Sequence, residues 1–484
     1  MTAYSAIPPC GDQRSRVRTR STRAIFLAAA LVCTLAGCGE DAKEPPTGPS
    51  VTEPRPGSNS DLPGLNPEPL EDVCDPPPPS VAGLGPVAWG VPEKVPVPFD
   101  AVAEPSLAAG EGVVYLAFEV RGPNPGGLLP MAPTDIYVMR REGDGWSEPV
   151  NISNTPTPSS RARLSIDAAG VVHALWGEHI AADGRHQDLI HPTSVFHATA
   201  TGGEWSSPDT VWYATAQLMF LEMPKRLVPD AGGRTHVMIT PGVDEANANV
   251  PELRKFVHLV WAGGAWSSPR RVYFGHQPDV VVDDAGDLLA VYVEGDPRGG
   301  ETNYDVNSVF FIRSDDGGVT WSRPQRIVRG GRRAAYDPWI VIGGDGRIHA
   351  IWTRDAEDPG VWPPETIEHS YSTDGVCWSD PVEVAASLSG FPILASVVPD
   401  DGGGLHLILH HEQGGAGGRP SRAMYVYRDG FAWGDPVPLF GAEEVGFTIG
   451  VARDPRGTLH VALAGEVGGE FAIYYATGRS AGTH

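Results

Sequence analysis

Cysteine, positive charge and long apolar runs are what this chain has least of. Five cysteines in 484 residues exclude a disulfide-built scaffold, and beyond the N-terminal apolar run no two have the close spacing of a zinc site. Lysine and arginine number 36 against 60 aspartates and glutamates, a formal charge of −24. A chain this acidic repels phosphate backbones, which argues against nucleic acid as a partner. Phosphate-cradling glycine loops, nucleophile elbows and cofactor motifs are absent. The N-terminal apolar run, 24–36, is too short to cross a bilayer as a stable helix. Hydrophobic residues still make up 41%, enough for a sizeable core. Glycine and proline, by contrast, are plentiful at 59 and 47, which predicts many turns and few long helices.

That short apolar run follows Arg14, Arg16, Arg18, Arg20 and Arg23, the arrangement of a secretory signal. It closes on Leu35-Ala36-Gly37-Cys38, which resembles the lipobox of bacterial lipoproteins. The resemblance implies export, a signal peptide over 1–37 and a diacylated Cys38 as mature N-terminus. Gly39 in place of aspartate implies, in a Gram-negative cell, an outer-membrane address. Residues 38–84 are rich in Pro, Gly, Ser and acid and predict a disordered, semi-stiff tether. With Cys10 and Cys33 lost in the signal and Cys38 lipidated, Cys74 and Cys377 are left as the two thiols available to pair. Sequence does not fix their distance.

The remainder repeats seven times. Trp89, Trp146, Trp205, Trp266, Trp321, Trp378 and Trp433 each open a W-[SG]-x-P segment, at spacings of 57, 59, 61, 55, 57 and 55. A second element, D-x-x-G-x-x-H, interleaves with it and is clearest from Asp167 through Gly170 to His173. Short alternating or apolar runs surround both, so each period holds four strands joined by tight turns. Seven four-stranded units predict an all-β, seven-bladed β-propeller over 85–480. The first unit is a lone outer strand at Trp89, and the last stops before any tryptophan. The N-terminal strand should therefore complete the C-terminal blade and close the ring. Proline in the W-x-x-P strand suits an outermost edge.

Ser314-Asp-Asp-Gly-Gly-Val-Thr-Trp321 matches S-x-D-x-G-x-T-W, and Ser372 to Trp378 is a version one residue shorter. This resembles the Asp-box, or BNR repeat, of the sialidase superfamily, where it forms a structural hairpin turn. Sialidases of this type have six blades and an F-R-I-P-like segment; here seven blades are counted and that segment is missing. No sialidase catalytic residue is carried over. Seven-bladed polysaccharide lyases resemble the chain at the level of fold, which does not give function.

In a four-stranded meander the D-x-x-G and Gly-Trp turns share one face, and the long irregular loops share the other. The long-loop face is the expected binding face. His173, His236, His349, His406 and His460 recur at one repeat position, which spreads them round the ring and argues for packing rather than a metal centre. Residues that break the repeat are better candidates for facing a ligand: Glu178, His179, Glu294, Arg298, Arg332, Arg333, Tyr336, Asp337 and Arg354. Carboxylates at separated positions suit glycoside chemistry, and arginines suit an anionic sugar. The reading is an exported, lipid-anchored propeller binding a glycan or protein partner without catalysis. The alternatives are a carbohydrate-active enzyme, hydrolase or lyase, and a scaffold protein of an envelope assembly.

Overall fold

The computed structural model describes residue 70 and residues 75–99, 102–121, 134–155, 157–179, 192–213, 218–243, 251–294, 307–328, 334–355, 366–388, 390–412, 421–440, 444–467 and 469–480. The expected signal segment 1–37, Cys38, Cys74, Arg298, Arg332 and Arg333 lie outside them.

Seven antiparallel sheets form seven blades, each with its first strand innermost. The inner strands are Val102–Gly110, Ser159–Ile166, the pair Leu218–Glu222 and Val228–Pro229, His276–Val282, Ala335–Ile342, Phe391–Pro399 and Glu444–Arg453, for blades one to seven. Each touches the inner strand of its neighbours, and that of blade one touches that of blade seven, so the ring closes. Closure is by ordinary strand pairing: Val87, Ala88 and Trp89 stand opposite Ser480, Arg479 and Gly478.

The second strands Val172–Glu178, Leu288–Glu294 and Ile348–Arg354 are buried at every position. They are covered on both faces by adjacent blades, which explains their nearly unbroken apolar runs. Seven hydrophobic clusters fill the seven gaps between blades, each drawing on two neighbours. The repeated tryptophans work across these gaps. Trp266 lies edge-on to His197 of the preceding blade at 5.1 Å, Trp433 to His369 at 5.4 Å, and Trp146 to Tyr475 at 5.2 Å. Trp378 is buried and the other six are half-buried, so each contributes part of the roughly 1.5–3 kcal/mol that fully burying a large apolar side chain is worth.

The D-x-x-G turns carry Asx hydrogen bonding. Asp167 Oδ1 accepts the N–H of Ala169 and of Val171, at 2.9 and 2.8 Å. Gly170 closes that turn at φ 78°, a conformation costly for a residue with a Cβ. Ser314, Asp316 and Thr320 tie a second kind of turn: Asp316 Oδ1 accepts from Ser314 Oγ and from two backbone N–H groups. These backbone and hydroxyl donors hold the Asp316 carboxyl down at about 2.

The recurring histidines also point along their own blades. His173, His236 and His349 each place Nδ1 within 3.1 Å of Nε2 on a third-strand histidine: His197, His258 and His369. His406 and His460 meet Tyr425 and Tyr475 instead.

Residues 75–84, expected as the end of the tether, are hydrogen-bonded to the propeller on its turn face. Leu70 N–H donates to Pro324 O, and Arg326 N–H donates back to Leu70 O, along the outer strand of blade four. Arg347 of blade five donates to Pro77 O and Pro78 O. In blade six, Gly403 N–H donates to Ala82 O, while Gly83 N–H donates to Asp429 O. Glycine allows this approach: a Cβ on Gly403 would stand 2.2 Å from Val81 O, and one on Gly430 2.4 Å. The Asp400-to-Gly404 run, which reads by composition as an ordinary turn, is thus a seat for the belt formed by 75–86. Proline-rich composition says a segment lacks its own periodic core; it does not say that the segment lacks partners.

Candidate functional site

The turn face is occupied by short hairpins and the belt, which directs attention to the opposite end of the channel. There the inner strands are irregular. Pairing to the second strand slips between Ala103 and Ser106, Ser160 and Arg163, His276 and Asp279, and Tyr336 and Trp339. At each slip one non-glycine residue adopts a left-handed backbone: Glu104 (φ 50°), Arg161 (56°), Gln277 (53°) and Asp337 (51°). Each such residue costs on the order of 1 kcal/mol or more, and strain of this kind gathers where function needs it. Blades one, two, four and five therefore present polar side chains at one level of the channel.

Those groups engage one another. Arg161 N–H donates to Glu119 Oε1 at 2.8 Å, and Asp337 N–H donates to Gln277 Oε1 at 2.9 Å. Thr448 of blade seven donates its hydroxyl to Glu104. Lys225 of blade three pairs with Asp337 at 2.9 Å. Beside it Arg226 holds Asp279 through two nitrogens and donates to Ile340 O at 2.9 Å, a buried clamp between blades three, four and five. Trp339 lies beneath both cations, 5.5 Å from Lys225 and 5.1 Å from Arg226. Such cation–π contacts help to fix the position of the indole.

Arg163 is different. Its one hydrogen bond is from Nη1 to the Ala162 carbonyl at 2.9 Å, and it makes no ion pair among the described residues. Burial lowers its pKa, while Glu104, Glu119 and Asp337 of other blades pull the other way. A guanidinium without a carboxylate partner, among polar groups from several blades, is a ready donor fork for an anionic ligand.

The carboxyls of the mouth are perturbed in the opposite sense. Burial, and then the neighbouring Glu104, push Glu119 up to about 7, against the lowering effect of Arg161 and Arg121. Burial likewise raises Glu222 of blade three, opposed by the Thr240 hydroxyl. A carboxyl that titrates near neutrality can hold a proton where an ordinary one cannot.

Of the residues nominated from sequence, Tyr336 and Asp337 fall in this mouth. Tyr336 O–H donates to Asp355 at 3.2 Å. Arg354 is buried and lies 3.5 Å from Glu368, at the end of its strand. Glu178 is fully buried. Its carboxylate accepts from Thr155, Thr157 (2.5 Å), Ser159 (2.6 Å) and the Trp176 indole (2.8 Å). That geometry locks a loop to a strand. His179 is also buried, 3.3 Å from the Ser160 hydroxyl, and Glu294 is buried opposite Ser308. Among the described residues no group of three or more His, Cys, Asp or Glu is placed to hold a metal ion.

Sequence reasoning passed over Glu104, Arg161, Arg163, Glu222, Lys225 and Gln277. A usable signal was present: Glu104, Gln277 and Asp337 each precede a proline within the innermost strand of a blade, where proline marks a bulge.

No protein-family model matches the chain, and no curated protein matches it. Among solved structures, a polysaccharide lyase, an ulvan lyase, superposes with a TM-score of 0.53 at 13% identity, over 81% of this chain and 95% of that one. A protein of unknown function from Dyadobacter fermentans gives 0.46 at 14% identity, covering 81% and 99%. The Trypanosoma rangeli sialidase gives 0.41 at 12% identity, covering 84% and 59%. At these identities the likeness to the lyase is one of fold, a seven-bladed propeller.

Proposed function

We propose that this protein is a lipid-anchored receptor of the cell envelope that binds an acidic glycan at the channel mouth. Arg163 carries the reading: a guanidinium with no ion pair among the described residues, near Glu104, Glu119 and Asp337 of other blades, in a mouth whose wall also holds the Trp339 ring beneath Lys225 and Arg226. Sugars are held by such mixtures of aromatic surface and planar polar groups, and an acidic substituent gives the guanidinium its bidentate partner. The lipobox-like Leu35-to-Cys38 segment supports the anchor, and the long-loop face supports a ligand approaching from solvent.

Glycan-array screening followed by calorimetry on the leading acidic sugars tests this. Binding is expected for carboxylated or sulfated glycans and not for their neutral counterparts, and Arg163→Gln should abolish it. Equal binding by neutral sugars, or an unaffected variant, would remove the mouth from consideration. Intact mass of the membrane form should show a diacylated Cys38 as first residue; an unmodified N-terminus would sink the anchor.

Glu119 supports a second reading, as proton donor of a carbohydrate-active enzyme, because a carboxyl titrating near 7 suits general acid–base work. Mass spectrometry of an acidic-glycan pool incubated with the protein separates the two. Hydrolysed or unsaturated products would favour the enzyme, and an unchanged pool of bound glycan the receptor.

A further inference from the structure

Four carboxylates of the mouth, Glu104, Glu119, Glu222 and Asp337, face four cations, Arg161, Arg163, Lys225 and, on the solvent side, Arg121, once the Arg226–Asp279 clamp is set aside as internally neutral. With every group ionised the mouth carries no net charge with which to draw in an anionic ligand, and Glu119 and Glu222 repel it locally. With two of the carboxyls protonated it is net positive. On the acidic-glycan reading above, which this inference rests on, we propose that the mouth captures its anion together with a proton, taken up by Glu119 and Glu222.

The geometry singles out these two. Ala103 is the pairing partner of Glu119, so Glu104, next in the chain, is set beside it. Two adjacent carboxyls cannot both stay ionised cheaply. Glu119 is the more buried: it is 4% exposed, whereas Glu104 is half-buried and has the Thr448 hydroxyl as a donor. Around Glu119 stand Glu104 from the inner strand, Arg161 and Arg163 from blade two, and Arg121 from its own strand at 3.9 Å on the solvent side. Around Glu222 stand the Thr240 hydroxyl, the Gln277 backbone N–H, Arg161 and Asp337. One Glu222 oxygen, Oε2, is buried with no hydrogen-bond partner among the described residues. An ionised oxygen so placed is costly, whereas a protonated one becomes a donor that an incoming anion can satisfy. Ligand and proton then stabilise each other: the anion supplies the acceptor that a neutral carboxyl lacks, and the proton removes the charge that repels the anion.

Linkage gives the expected size. Uptake of one proton per ligand weakens binding by about tenfold for each pH unit above the free group's pKa. D-glucuronate serves as the probe, titrated calorimetrically into the full chain from pH 5.5 to 8.5, in buffers of low and high ionisation enthalpy. The expected result is tightest binding at pH 5.5, a loss of at least tenfold by pH 8.5, and about one proton absorbed per glucuronate near pH 7.5. Glu119→Gln keeps a neutral donor and should bind with a much flatter pH profile; Glu222→Gln, a separate fold-preserving check, should flatten it in part. A flat profile for the wild type, proton release on binding, or an undiminished slope in both variants would overturn proton coupling while leaving the anion site standing. Absence of glucuronate binding at pH 5.5 would overturn the acidic-glycan reading itself, and this inference with it.

Discussion

His349 and His369 stand on adjacent strands of blade five with Nδ1 of the first 3.0 Å from Nε2 of the second and their rings stacked 5.2 Å apart. One ring must donate and the other accept, so the pair is built for neutral imidazoles. The same arrangement recurs in blades two and three.

Acid should therefore unfold this propeller early. Burial, and then the partner imidazole, lower His197 and His258 to about 3 from an ordinary 6.5, and lower His369 in the same sense. A depressed folded-state value means that the unfolded chain takes up protons first. The stabilisation is complete above about pH 6.5 and is lost as pH falls from there towards 3, at a rate approaching about 1.4 kcal/mol per pH unit for each histidine. Glu119 and Glu222 act with opposite sign, because their folded values are raised. Urea midpoints measured from pH 8 to 4 should be level above 7 and fall progressively below 6.5. A profile level down to pH 4.5 would show that the imidazole pairs are hydrated.

Glu178 should prove structural. Substituting alanine leaves the hydroxyls of Thr155, Thr157 and Ser159 and the Trp176 indole without their shared acceptor. The expected loss for Glu178→Ala is about 3–5 kcal/mol, with a smaller loss for Glu178→Gln, which keeps one oxygen. Thermal and urea denaturation measure it. A destabilisation below about 1 kcal/mol would mean that the loop finds other partners.

Gly403→Ala should lift the belt without disturbing the ring. Its Cβ would meet Val81 O at 2.2 Å, and backbone cannot yield as a flexible side chain can. Limited proteolysis should then cut between 75 and 86 several-fold faster than in the wild type, with the blades intact by circular dichroism. Unchanged cleavage would mean that the seat is looser than its geometry.

Cys377 is disulfide-bonded, and every other cysteine precedes residue 75, outside the described residues. Position 74 is flanked by Leu70, on the outer strand of blade four, and by Pro77 and Pro78, on blade five. Non-reducing peptide mapping is expected to recover Cys74 joined to Cys377. A cross-link to any other cysteine would redirect the path of the chain before the belt.

The architecture was readable because its signals are local and repeated. Trp266 and Trp433 perform one task in different blades, so the tryptophan spacing reports a structural period directly. The mouth was readable only in part. Tyr336 and Asp337 were reached by arguing that inner strands line the channel, and the same argument applied to Arg161 and Arg163 would have found them. What residue type does not encode is the left-handed turn of Glu104, Arg161, Gln277 and Asp337, none of them a glycine. That conformation is imposed by strand register and neighbouring blades, not by local preference. Glu178 misled for the converse reason: a carboxylate in a repeat-breaking segment reads as solvent-facing until the four donors that converge on it are seen in space.

The belt also decides how the molecule answers to a pull. A ring sealed by its own N-terminal strand has its weakest seam where a leash would tug, since Val87–Trp89 pairs with the C-terminal strand along one edge only. Here the line is made fast at Leu70 on blade four, then again on blades five and six, before it reaches that seam in blade seven. Tension arriving from the N-terminal side is therefore spent on three moorings in succession, and the closing strand is sheltered from being unzipped until all of them have parted.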